Sequence, residues 1–182
     1  MDKVVSVRIL GIDPGSRQTG YGIIDAGKNN SVHVDSGCIY VKGKTFPDRL
    51  GYIFQQLGEI IAEYQPVELS IEKVFVNKNV DSAMKLGQAR AAAICAAVSA
   101  GLSVSEYTPK AVKSAVVGTG NASKEQVQHM MSALLKLEKG LQADQADALG
   151  IALCHAHNRG LEGKVALPTR RRSSGRWMAL PK

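Results

Sequence analysis

Leu10–Ile24, LGIDPGSRQTGYGII, reads as a strand, a tight glycine turn and a second strand. The apolar run Val4, Val5, Val7, Ile9, Leu10, Ile12 ends at Asp13, the only acid in the stretch. An aspartate anchored by a strand but open at its end suits a metal ligand or a phosphate-facing group. Flanking this hairpin, strands are expected over Val5–Asp13, Gly20–Asp25 and Val32–Tyr40, joined by short Gly, Asn and Ser turns. Phe46–Gln65 reads as a helix, with Pro47 in its first turn and Leu50, Ile53, Phe54, Leu57, Ile60 and Ile61 at helical spacing. Val67–Lys73 alternates as a strand that closes at Glu72. A long helix over Asn79–Ala100 follows, then a strand over Ser103–Tyr107 and a helix from Pro109 to about Val116. Ser123 is an N-cap for the helix of Val127, Met130, Met131, Leu134 and Leu135, with Glu125 one residue short of the capping-box position. A last helix is expected over Ala143–Asn158.

Three strands followed by strands alternating with helices specify an α/β fold around one mixed five-stranded sheet. The first three strands form an antiparallel meander; the later two need helical crossovers and are parallel, and helices flank the sheet. No linker breaks the pattern before Arg159, so the chain divides into a domain over 1–158 and a basic tail over 159–182.

At 182 residues, with an apolar fraction of 45% and a charged fraction of 21%, the chain has the composition of a soluble domain with a substantial core. Cys38, Cys95 and Cys154 are far apart and form no C-x-x-C pair, which suits free buried thiols in a reducing cytosol. His155 and His157, two apart on a helix, point to different faces and read as helix-end polar residues rather than zinc ligands. No charged-then-apolar leader opens the sequence, and the longest apolar stretch, Ala91–Ala100, is far short of the ~20 residues of a membrane span. A cytoplasmic protein without a membrane partner is expected. The net charge of +7 is uneven: six of the 23 basic residues lie from Lys164 onward, and all 16 acidic residues precede it. Such a tail suits phosphate binding, and is equally compatible with having no role.

Within Asn79–Ala100, Ala91–Val98 is apolar on every side. A helix of that kind is normally buried all round. It is therefore either an inner helix or half of a homodimer interface.

Asp13 and Glu72 both stand at strand ends, and emerge at one sheet edge if their strands are neighbours. Asp144 and Asp147, three apart at the start of the last helix, share a face that continues through Ala148, Ile151 and Cys154/His155 toward the sheet. The helix dipole favours an Asp near the N-terminus by ~0.3–1 kcal/mol, which explains an exposed Asp better than two aimed inward. Four converging carboxylates call for hard cations, Mg²⁺ or Mn²⁺. Two such ions can hold the attacking and leaving oxygens of a phosphoryl group in line, so the reaction class is phosphodiester hydrolysis, with a 5′-phosphate left when the 3′ oxygen departs.

GIDPGSRQTGYGII, SIEKVFVNKN, SAMKLGQARAAA, AVKSAVVGTGNASKEQVQHM and ADQADALGIALCHAH, spread over Ile9–His157, closely resemble the RuvC Holliday-junction endonucleases of bacteria. The resemblance implies a ribonuclease-H-like fold and a homodimer that places paired symmetric nicks in four-way DNA junctions, preferring a short T-containing sequence and working beside the RuvA–RuvB branch-migration complex. It implies that Asp13, Glu72, Asp144 and Asp147 are catalytic ligands of two Mg²⁺ ions, with Mn²⁺ able to substitute. Phe75 matches an aromatic that stacks on a base at the opened crossover; on the residues alone it reads as core, although the following Val-Asn-Lys-Asn makes an exposed loop. Lys113 and Lys124 match lysines near the scissile phosphate and DNA backbone, where the residues alone read as solvated surface. The basic tail falls outside the resemblance.

Three other readings compete. An actin- or sugar-kinase-type ATPase shares the G-I-D-x-G hairpin but needs two lobes and a second phosphate hairpin. An RNA-processing nuclease with the same core has no reason to keep the VFVNKN loop. A catalytically idle DNA-binding scaffold leaves the four acids unexplained.

Overall fold

Alternation along the first, second and fourth strands assigns their side chains to one of two sheet faces, and that assignment builds the site. The computed structural model describes residues 6–28, 30–74, 79–137 and 141–162. β1 (Val7–Asp13), β2 (Gln18–Ala26), β3 (Ser31–Tyr40), β4 (Glu68–Glu72) and β5 (Ser103–Tyr107) form one sheet of order β3-β2-β1-β4-β5. β1 pairs antiparallel with β2, and β2 with β3, whereas β1–β4 and β4–β5 are parallel. The expected mixed sheet is present. The chain reaches β4 from the meander through α1 (Phe46–Tyr64), and β5 through α2 (Val80–Ser99).

Leu10, Ile12, Ile23, Leu69 and Ile71 face a core shared with Ile53, Leu57 and Ile61 of α1 and Ala89, Ala93, Ala96 and Ala97 of α2. Ile9, Ile24 and Ala26 face the other side. There they meet Val116 of α3 (Pro109–Val117), Val127 and Met131 of α4 (Lys124–Leu135), and Leu149 and Leu153 of α5 (Ala143–Glu162). Strand residues alternate between faces. Gly11 and Asp13 therefore share Ile9's side, toward α5.

Glycines let α5 sit close to the sheet. A Cβ on Gly11 would fall 2.2 Å from the Ala148 carbonyl oxygen, one on Gly20 2.1 Å from that of Asp144, and one on Gly22 2.7 Å from Leu149 Cγ. Each contact is far inside van der Waals range, so side chains at these positions would lift the helix.

Several local expectations are revised. Ser123 does cap α4, but Gln126, three residues on, completes the capping box in place of Glu125. The last helix runs past Asn158 to Glu162, because Arg159 pairs with Glu68 at 2.6 Å and holds the extra turn against β4. His155 is no helix-end surface residue: it is buried, with Nδ1 2.7 Å from the Tyr107 hydroxyl and Nε2 2.7 Å from Glu68 Oε2. α2 is not an inner helix. Its alanine stripe packs inward, while Met84 and Val98 remain 61% and 60% exposed. Cys38, Cys95 and Cys154 are free thiols as expected, but only Cys154 is buried, which pushes it up to about 11; Cys38 is half-buried and Cys95 exposed. None of the described helices is long and apolar enough to cross a membrane.

Overpacking a tight contact costs about 1–3 kcal/mol. Gly11→Ala is accordingly expected to lower unfolding free energy by about that amount in urea titrations, since its new methyl group meets the backbone of α5 rather than a movable side chain.

Candidate metal centre

Asp13 ends β1 on the α5 side, and its cross-strand partner in β2 is Gly20. The backbone carbonyl of Asp144 occupies the space that a Gly20 side chain would need. The absent Cβ thus admits the first turn of α5 beside Asp13. Asp144 and Asp147 stand on one face of that turn. As a result, Asp13, Asp144 and Asp147 each offer a carboxylate oxygen within 4.8 Å of the others, and all three residues are half-buried.

Glu72 closes β4, the parallel neighbour of β1, and shares the α5 side through the same alternation. It stands outside the three-aspartate group but lines a cavity of about 220 Å³ with Asp147, Val112 and Lys113. The Arg90 side chain fixes the end of β4 from the opposite face: its Nε donates to the Glu72 carbonyl at 2.9 Å, and its second nitrogen pairs with Glu106 at 3.0 Å. Lys113, half-buried on α3, lines the same cavity as Glu72 and Asp147. Lys124 is the first residue of α4; its side chain, and the whole of Phe75, lie outside the described residues.

Carboxylates this close repel one another. Like unit charges 4 Å apart repel by roughly 4 kcal/mol at an effective dielectric of about 20. A neighbouring thiol registers the same field: burial pushes the Cys38 thiol upward and a Gln18 hydrogen bond opposes this, while the charges of Asp144 and Asp13 push it further up. The three-aspartate group contains only hard oxygen donors, without Cys or His. That donor set fits Mg²⁺ or Mn²⁺ and not a thiophilic ion.

Two residues unnoticed in the sequence flank Asp144. Gln145 Oε1 accepts from the Gln142 backbone N–H at 3.2 Å, and its Nε2 donates to the carbonyl and hydroxyl oxygens of Ser36 at 2.9 and 2.8 Å. Gln142 Oε1 accepts from the Tyr40 hydroxyl at 2.9 Å and from Gln18 Nε2 at 3.4 Å. The available signal was a glutamine three residues after the residue that opens the helix, a spacing that returns a side-chain acceptor to the helix start.

A family model described as crossover junction endodeoxyribonuclease RuvC matches residues 9–155. A relative of that name from Citrifermentans bemidjiense is 58% identical over 154 residues, covering 84% of this chain and 94% of its own length. One from Shewanella oneidensis is 56% identical over 162 residues, covering 89% and 92%. A solved structure of Thermus thermophilus RuvC in complex with Holliday junction substrate superposes with a TM-score of 0.80 at 30% identity, covering 86% of this chain and 96% of that one. The α/β architecture is thus ribonuclease-H-like, as the sequence motifs imply. With its acid-bearing strand ends and last helix inside the matched span, the chain belongs to the RuvC family of crossover junction endodeoxyribonucleases.

Proposed function

We propose that this protein resolves four-way DNA junctions by paired symmetric nicks in recombination and repair, through metal-dependent phosphodiester hydrolysis that leaves 5′-phosphate ends. The observation that carries the reading is the meeting of Asp13, Asp144 and Asp147 within 4.8 Å, with Glu72 on the cavity that Asp147 also lines. These four acids would hold two Mg²⁺ ions, and Mn²⁺ could take their place. Bound there, the ions would supply an activated water and neutralise charge on the phosphodiester.

The protein's own groups complete the reading. Lys113 borders the acids and would hold a phosphate oxygen from the far side of the cavity. Lys124, where α4 begins, would contact the DNA backbone. Phe75, three residues beyond Glu72, would stack on a base opened at the crossover, an interaction worth ~1–3 kcal/mol per base. The Thermus thermophilus relative bound to a Holliday junction supports the substrate class. The exposed Val80, Met84 and Val98 on α2 support a homodimer through that helix. A cytoplasmic setting beside RuvA–RuvB accords with this role.

The direct test incubates the protein with a mobile four-way junction, linear duplex and ATP, with and without Mg²⁺. Symmetric junction nicks that require Mg²⁺, with ATP left intact, are expected; intact junctions alongside hydrolysed ATP would overturn the reading. Asp13→Asn removes a ligand and a negative charge, so it should abolish cutting while junction binding persists in a gel-shift assay. Phe75→Ala should slow single-turnover cleavage more than it weakens binding, by about tenfold if one stacked base is lost. Removing residues after Gly163 should flatten the dependence of junction affinity on salt, because fewer counterions are then released; an unchanged slope would leave the tail without a role in binding.

A further inference from the structure

Gln145 lies between two aspartates of the acidic centre, and its side chain is committed elsewhere. We infer that Gln145 is a positioning residue for that centre: one amide both caps the start of α5 and pins its first turn to β3. The first N–H groups of a helix have no partner within it. Here Gln142 precedes the helix and supplies none of the short oxygen-bearing side chains that usually cap. Gln145 Oε1 supplies the reciprocal half of a capping box instead, reaching back to accept from the Gln142 N–H at 3.2 Å. Its partners also fix the amide's orientation, since a backbone N–H requires the oxygen and the Ser36 carbonyl requires the nitrogen.

The far end of the clamp is equally well held. Ser36 Oγ accepts from Gln145 at 2.8 Å and lies 2.8 Å from His33 Nε2. Burial holds the His33 imidazole below its usual range, against the opposing pull of Asp35. A neutral ring can take the serine hydrogen, which leaves the oxygen free for Gln145. Gln142 adds a second tie to Tyr40 on β3 and Gln18 on β2. Asp144 is therefore bracketed by two anchored glutamines on the turn that must stay beside Asp13. The clamp ties the turn that carries Asp144 and Asp147 to β3 and so opposes its displacement from the sheet.

Outer-shell partners of metal ligands typically change metal affinity by 10–100-fold when removed. The inference rests on the acidic centre binding divalent ions, so the full-length chain is titrated with Mn²⁺ alone and bound ion is read by electron paramagnetic resonance. Gln145→Ala is expected to weaken Mn²⁺ binding at least tenfold, with metal-free junction binding unchanged and cleavage restored at raised Mn²⁺. Ser36→Ala, a milder change that keeps the carbonyl acceptor, should weaken Mn²⁺ binding less, and the double variant should fall short of the sum of the two effects. Unaltered Mn²⁺ affinity in both single variants, accompanied only by a lower Tm, would overturn the positioning role while leaving the proposed activity intact. Absence of Mn²⁺ binding by the unsubstituted protein would overturn both.

Discussion

The close approach of α5 to β1 and β2 is the constraint on which the rest of this structure depends. Helices normally ride on a sheet at a distance set by intervening side chains. Gly11, Gly20 and Gly22 remove those side chains along one track, and backbone atoms of Ala148, Asp144 and Leu149 occupy the space. Depth here is chemistry: Gly20 is both the strand partner of Asp13 and the seat of Asp144. A methyl group at that one position would separate Asp13 from Asp144 and Asp147.

This geometry collects negative charge at one end of the sheet. Part of the force that resists dispersal is apolar, from Ile9, Ile24, Met131, Leu149 and Leu153, which hold α5 from beneath. Another part is polar, from the glutamines at its start and from His155 and Arg159 near its end, which meet on Glu68. The helix is thus tied at both ends, with the acids on the end that faces the cavity. A cluster of hard oxygen donors held this close by the fold could hold a divalent cation without rearrangement of the backbone.

Elements with strong periodic patterns were legible one residue at a time. The meander, α1 and β5 follow directly from alternation, from Pro47 and from the spacing of Ile53, Leu57 and Ile61. Asp13, Asp144 and Asp147 were legible as a group because acids at a strand end and inside a buried helical stripe violate the ordinary segregation of charge. His155 was misread for a related reason: its two partners, Tyr107 and Glu68, are distant in sequence, and nothing local distinguishes a satisfied buried imidazole from a solvated one. α2 shows the reverse case, where an all-round apolar pattern implied burial, yet a single chain covers only one side.

The order of polar and apolar residues determined by itself which face of each strand looks toward α5, because a two-residue period admits no other choice once the core is filled. That parity already places Asp13 and Glu72 on the same side. Only the tertiary structure decided how near the acids stand, since distance depends on backbone contacts at Gly11, Gly20 and Gly22 that carry no signal in a single sequence. It also decided that Gln145 serves the helix start and β3 together, as Ser36 is remote along the chain and becomes a neighbour only after the sheet has formed.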